Sequence, residues 1–155
     1  MFQILLAIHI LSAVLFIGNI VTAAFWKVRA DRSGNLEIIA VTTRSLLQAD
    51  YAFTTPGISG LLITGIWMVG LTGWDRFQQT WLSVSLVLLI ITGLIWVALL
   101  LPLQFRMARL SREGAASGAP DPAYAKASRL WAIFGGIATL LPVIILFLMV
   151  LKPGV

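Results

Sequence analysis

The one histidine of the chain, His9, lies in the strongly apolar stretch AIHILSAVLFIGN near the N-terminus. An imidazole there can tie helices together by a hydrogen bond, act as an axial ligand of haem iron, relay a proton or bind a metal ion. The 155-residue sequence has no cysteine and no second histidine, which argues against an iron–sulfur cluster and a closed zinc or copper site. Haem needs less, because one imidazole in an apolar, aromatic-lined cavity can hold it.

The carboxylates form no catalytic pair in the sequence. All six lie at or beyond the ends of apolar runs, so we expect solvated or capping roles for them. Asp121 precedes Pro122, a pattern typical of a helix N-cap. The six are Asp31, Glu37, Asp50, Asp75, Glu113 and Asp121.

The amino-acid composition indicates the class of protein to which these side chains belong. Hydrophobic residues make up 59% of the chain and charged residues 11%, whereas a soluble domain has about 25% charged residues. Several apolar runs reach the roughly 20 residues that a helix needs to cross a bilayer. We therefore predict an all-α membrane protein, a single domain in which four transmembrane helices form an antiparallel bundle. The predicted spans are about 2–26, 51–71, 81–103 and 130–151, the first of them uncleaved.

The basic residues predict the orientation of the bundle. Nine of them lie in the two long connections and two on the opposite side, which places the connections in the cytoplasm of a bacterium and both termini on the periplasmic side of its inner membrane. The net charge of +5 then reflects topology and contact with membrane lipids rather than nucleic acid. The nine are Lys27, Arg29, Arg32, Arg44, Arg106, Arg109, Arg112, Lys126 and Arg129; the two are Arg76 and Lys152.

Segment 36–50 is amphipathic at helical spacing and is expected on the cytoplasmic side. It either lies on the membrane surface or extends the second helix into the cytoplasm. Its apolar face comprises Leu36, Ile39, Ala40, Thr43, Leu46 and Leu47.

Depth along the helices predicts which polar residues share a level. At about 1.5 Å per residue, His9 lies in the outer third of the membrane, level with 64–68, 83–86 and 143–146 of the other helices. Small and polar residues of the first helix share the face of His9, so this face should point into the bundle. The candidate cofactor-binding residues are His9, Ser12, Phe16, Trp67, Met68, Ser83 and Ser85.

A second polar level lies deeper, in the inner half. Proline has no N–H group, so Pro56 leaves the carbonyl of Ala52 without its helical donor, and a neighbour must satisfy it. We interpret this level as a structural polar cluster formed by Asn19, Thr54, Thr55, Pro56 and Gly57.

Three motifs resemble, in their order, the HemJ-type protoporphyrinogen oxidases: AIHILSAVLFIGN, TTPG and TWLSVSL. With GLIWVALLLPLQFRMARL added, the chain resembles more closely still an uncharacterised bacterial family of predicted integral membrane proteins similar to HemJ. The resemblance implies an association with haem b and porphyrin, with His9 as the ligand of the haem iron. It also matches Thr55, Pro56 and Gly57 to the second-helix motif of HemJ.

The third helix departs from the HemJ pattern. HemJ proteins carry a His-x-Lys pair after the Trp-Leu that opens this helix, and this chain has Ser83 and Ser85 there. Serine is not a general base near neutral pH, so we expect no protoporphyrinogen oxidation. The leading hypothesis is a haem- or porphyrin-associated membrane protein.

The sequence leaves two other functions open. One is a cofactor-free bundle that transports or senses a small hydrophobic molecule, or scaffolds a membrane complex. The other is residual porphyrin oxidation. A homodimer that brings two copies of His9 together is compatible with either hypothesis.

Overall fold

A computed structural model describes residues 1–154, almost all of them helical. Each of the four long helices is long and apolar enough to cross a membrane, and no strand occurs in the described part of the chain. This confirms the predicted all-α fold with four transmembrane helices. The helices are α1 (Phe2–Ser33), α2 (Leu36–Thr72), α3 (Thr80–Ser117) and α4 (Pro122–Leu151), and a 3-10 turn, Trp74–Gln78, lies between α2 and α3.

The two connections at one end of the bundle are short and well capped. Gly34 ends α1 and Gly118 ends α3, both in the left-handed conformation (φ 64° and 71°) that glycine adopts without strain. The Asn35 side chain accepts two backbone N–H groups of α2, and Asp121 accepts the N–H of Ala123 at 2.7 Å. The N-cap role predicted for Asp121 is thus confirmed. We call this the basic end of the bundle, and the opposite end, with both chain termini, the terminal end.

The amphipathic segment is the first part of α2. Leu36–Ala49 buries Ile39, Thr43 and Leu46 and packs against Leu101–Ser117 of α3. It therefore extends the second helix rather than forming a separate surface helix.

Two π-helical segments interrupt α2 and α3, at Asp50–Thr54 and Trp96–Leu100. In each helix a proline, Pro56 or Pro102, follows six residues after the start of the segment. A proline ring clashes with the carbonyl four residues earlier and offers it no N–H group. The chain responds by a wider turn, in which the residue before the proline donates to the carbonyl five positions back: Thr55 to Asp50 in α2 and Leu101 to Trp96 in α3.

The terminal half of the bundle consists of two helix pairs. The helix α1 packs closely on Thr55–Thr72 of α2, and α4 packs on Thr80–Ile95 of α3. The first pair approaches closely because a Cβ atom at Gly57 would lie 2.9 Å from the Cβ of Phe16. The two pairs meet deeper in the bundle, where Phe16, Ile58 and Leu89 form a buried cluster.

Candidate functional site

A narrow cleft with a cavity of about 60 Å3 lies between the two helix pairs in the terminal half. All four helices contribute to it, and its walls are almost entirely apolar. The polar side chains in the lining are those of His9 and Ser85. Besides these two, the lining comprises Leu61, Leu62, Gly65, Ile66, Val69, Phe77, Leu82, Leu86, Leu89, Ile145 and Met149.

The orientation of His9 is fixed from α2. Its Nδ1 atom lies 2.8 Å from the hydroxyl oxygen of Thr64, and that hydroxyl donates its single hydrogen to the carbonyl of Gly60. With its hydrogen on Gly60 the hydroxyl oxygen accepts from His9, which favours the tautomer that carries the proton on Nδ1. In the neutral imidazole, Nε2 then has the free lone pair. Gly65 leaves room for the ring, since a Cβ there would lie 3.3 Å from the Cε1 atom of His9.

Of Ser83 and Ser85 near the start of helix α3, one lines the cleft. Ser85 is 1% exposed, lines the cleft and donates to the carbonyl of Trp81 at 2.6 Å. Ser83 is outside the lining, and its hydroxyl donates to the carbonyl of Phe77. Both hydroxyl hydrogens are therefore already used by the backbone.

The other candidates from the sequence lie away from the cleft. Ser12 and Phe16 are buried where α1 meets α2, against Gly60 and Gly57, and the Ser12 hydroxyl donates to the carbonyl of Ile8 at 2.8 Å.

Neither Trp67 nor Met68 belongs to the cleft lining. Trp67 is 52% exposed on the outer face of α2, and Met68 is half-buried. The aromatic ring and the thioether in the lining are instead those of Phe77 and Met149. Met149 lies one helical turn beyond the part of α4 that the depth argument indicated.

The deeper polar level is centred on a residue that the sequence argument assigned to the surface. Asp50 is 5% exposed, so the expectation of a solvated or capping role is wrong for it. Its Oδ1 atom accepts hydrogen bonds from Asn19 at 2.9 Å and Thr54 at 2.7 Å. Its Oδ2 atom accepts from Gln104 at 2.7 Å and from the indole N–H of Trp96 at 3.2 Å. We call these five residues the Asp50 centre.

The remaining members of the predicted polar cluster lie beside this centre. Thr55 donates from its hydroxyl to the backbone carbonyl of Asp50 at 3.2 Å, rather than to that of Ala52. Pro56 begins the straight part of α2, and Gly57 packs on α1. The sequence did carry a signal for Asp50, which lies four residues after Leu46 and so continues the apolar face of segment 36–50.

A third polar group ties α1 to α4 at the basic end. Lys27 is 2% exposed, and its Nζ atom binds Asp31 at 2.5 Å and Ser128 at 2.8 Å. Tyr124 and Ser128 donate to the two carboxylate oxygens of Asp31 at 2.7 and 2.8 Å. The ammonium group also lies over the Tyr124 ring, 5.1 Å from its centroid. Lys27 thus has a structural role beyond membrane topology.

Comparison with known proteins places the chain among membrane proteins. The family model described as "Predicted integral membrane protein (DUF2269)" matches residues 3–153. No curated protein and no solved structure matches the chain.

Proposed function

We propose that the chain, which belongs to the DUF2269 family of predicted integral membrane proteins, binds haem b or a porphyrin in its cleft. Membership of the family and four spanning helices make it a multi-pass membrane protein in contact with lipid. The observation that carries the proposal is the orientation of His9, a cleft residue whose Nδ1 lies 2.8 Å from the Thr64 hydroxyl, an arrangement that favours the lone pair on Nε2.

The residues present fit such a ligand. A histidine that binds iron through one nitrogen usually donates its other N–H to an oxygen, which fixes the ring and raises its basicity. Thr64 provides that oxygen for His9. The walls are apolar, as the faces of a macrocycle require, and because the cavity is only about 60 Å3 the two helix pairs must move apart to admit one. Met149 in the lining carries a thioether, a ligand that haem iron also takes. Bound haem would supply one-electron chemistry, and the chain would hold it and exclude water.

The proposal is restricted to binding. Oxidation of protoporphyrinogen requires groups that accept protons, and the Ser83 and Ser85 hydroxyls both donate to backbone carbonyls. Neither is a base near neutral pH. The resemblance of the first helix to HemJ supports the ligand, and the serines of α3 argue against the HemJ reaction.

A second function is favoured by the lining of the cleft. Apart from His9 and Ser85, every lining residue is apolar, as expected for a site that holds a small hydrophobic molecule without a cofactor. In that case His9 would contribute a single hydrogen bond to the ligand, and its loss would leave the absorption spectrum of the protein unchanged.

The absorption spectrum of the purified protein separates the two functions. We expect protein expressed with haem precursors and purified in detergent to show a Soret band. His9→Ala should lose this band, and imidazole in the buffer should restore it by replacing the missing side chain. Ile63→Ala is the matched control, because Ile63 lies on the outer face of α2 and is 61% exposed. Colourless wild-type protein would overturn the proposal and leave the cofactor-free function.

We also propose the bacterial cytoplasmic membrane as the location, with the basic end inside. The support is the distribution of nine basic residues against two. Because the chain has no cysteine, a thiol reagent labels only the cysteine introduced in the single variants Ser117→Cys and Gln78→Cys. A membrane-impermeant thiol reagent should label Gln78→Cys in intact cells and spare Ser117→Cys; the reverse pattern would refute the orientation.

A further inference from the structure

The carboxylate of Asp50 is enclosed in the bundle without a positive charge. Each of its oxygens accepts two hydrogen bonds, and all four donors are neutral. The ion pairs of residues 1–154 are Lys27–Asp31 and Arg109–Glu113, so Asp50 takes part in none of them. Ionisable groups enclosed by transmembrane helices are costly and commonly functional.

None of the side chains that contact the Asp50 carboxylate can itself gain or lose a proton near neutral pH. Asn19 approaches from α1, Thr54 from α2 itself, and Trp96 and Gln104 from α3. None of these side chains is charged. The basic residues of α2 and α3 nearest in sequence, Arg44 and Arg106, have exposed side chains. On α1, Lys27 is bound to Asp31. Since no cationic side chain neutralises the enclosed carboxylate, a proton, the smallest cation, is the species that can do so.

Gln104 carries an unused acceptor next to this carboxylate. Its Nε2 atom donates to Oδ2 of Asp50 at 2.7 Å, whereas its Oε1 atom is buried and has no hydrogen-bond partner. The residue as a whole is 3% exposed. A buried amide oxygen without a donor is destabilising, and here it lies in the same side chain that binds the carboxylate.

Rotation of this amide by half a turn makes the centre complementary to a protonated Asp50. The Oε1 atom of Gln104 would then face Oδ2 and accept its new O–H group. The bonds from Asn19, Thr54 and Trp96 remain, and the Nε2 atom takes the position without a partner. Both states have the same number of hydrogen bonds and one unpaired amide atom, so the rotation conserves the hydrogen bonding of the centre.

The backbone around the centre is of a kind found at functional sites. Asp50 and Trp96 are the first residues of the two π-helical segments, which meet here. Single-turn π segments in α-helices occur frequently at such sites. Here they direct a carboxylate and an indole N–H toward the same point.

We propose that Asp50 is a proton-binding site in which protonation is coupled to rotation of the Gln104 side-chain amide. A proton from water at the basic end adds to Oδ2 and forms an O–H bond, the carboxylate becomes a neutral carboxyl group, and release reverses the step. No other covalent bond changes. The site is independent of the cleft, which lies toward the other end of the bundle.

Infrared spectroscopy of the lipid-reconstituted full chain tests the carboxyl group. Acidification should produce the carbonyl band of a protonated carboxylic acid that is lost in Asp50→Asn. The band should remain in Asp75→Asn, which removes an exposed carboxylate at the terminal end. If Asp50 stays ionised down to the pH at which the protein unfolds, the proposal is refuted.

NMR of the wild-type chain with 15N-labelled glutamine tests the rotation of the Gln104 amide. This experiment does not depend on whether Asp50→Asn folds. The side-chain NH2 signals of Gln104, assigned by their loss in Gln104→Met, should shift with the same pH midpoint as the carboxyl band. The signals of Gln48, which has an exposed side chain, should show no transition at that midpoint. A carboxyl band without any change at Gln104 would overturn the coupling and with it the proposal.

Discussion

The Nδ1 atom of His9 on α1 lies 2.8 Å from the Thr64 hydroxyl on α2, and this contact sets the chemistry of the cleft. A hydroxyl that donates to Gly60 favours the tautomer of His9 in which Nδ1 donates and Nε2 keeps the lone pair. A threonine in an apolar helix thereby determines what a histidine on the neighbouring helix can bind.

Removal of the Thr64 hydroxyl should lower the basicity of the His9 nitrogen proposed to bind haem iron, while His9 itself remains. We expect Thr64→Val to retain a Soret band but to bind haem about 10- to 100-fold more weakly, the usual effect of losing the partner of a metal-bound histidine. Haem titration of the apoprotein measures this. Thr64→Ser keeps the hydroxyl and is the control; equal losses in both variants would show that the methyl group, not the hydrogen bond, matters.

Met68 and Met149, both in the terminal half, should behave differently. Met149 lines the cleft and Met68 does not, although depth alone favoured Met68. We expect Met149→Leu to shift the absorption bands of the haem-bound protein, since it removes the thioether of the site. Met68→Leu preserves volume outside the cleft and should leave the spectrum unchanged. A shift in Met68→Leu alone would contradict the assigned lining.

The Lys27–Asp31 pair predicts an asymmetry in stability. Asp31→Asn leaves the Lys27 ammonium group buried without a counter-charge, and breaking such a pair costs about 3–5 kcal/mol. Lys27→Met removes the buried charge itself and leaves Asp31, which is 31% exposed, bonded to Tyr124 and Ser128, so it should cost less.

Thermal unfolding in detergent, followed by circular dichroism, compares these two variants. Glu113→Gln is the matched control because its partner Arg109 is 4.0 Å away and both side chains are exposed, so we expect a change of about 0–1 kcal/mol. A larger loss in Lys27→Met than in Asp31→Asn would contradict the burial of the ammonium group.

Close contact between α1 and α2 depends on Gly60. A Cβ atom there would collide with the Ser12 hydroxyl, so Gly60→Ala should destabilise the fold by about 1–3 kcal/mol. Adding Ser12→Gly should recover part of the loss in a double-mutant cycle. Gly18→Ala is the control, since nothing lies within 4 Å of a Cβ at that position. Strictly additive effects of the Ser12 and Gly60 variants would contradict the contact.

Much of the fold follows from composition and periodicity. Apolar runs of sufficient length predict four spanning helices, because a bilayer imposes a fixed length and forces the backbone to satisfy its own hydrogen bonds. The same rules do not determine which helices pair. Ser12 and Phe16 lie on the predicted inward face, yet they face α2 rather than the cleft, because helical periodicity gives a direction and not a neighbour.

Depth arguments are limited in the same way. They placed Ser85 and Trp67 at the level of His9, but only Ser85 lines the cleft, since rotation about the helix axis decides which side chain points inward. Asp50 directly precedes the predicted span 51–71, and this position by itself suggests a solvated span end. The helix in fact begins at Leu36, and that placed Asp50 inside the bundle.

The two π-helical segments lie where α2 and α3 change partners. The helix α2 packs on both α1 and α3 before Asp50–Thr54 and on α1 after it, whereas α3 packs on α4 before Trp96–Leu100 and on both α2 and α4 after it. Removing one residue from such a segment would turn one half of the helix by about 100° relative to the other. Each segment therefore sets the rotation of one half of its helix relative to the other, and a single-residue deletion there should misalign the faces that pack on the neighbouring helices.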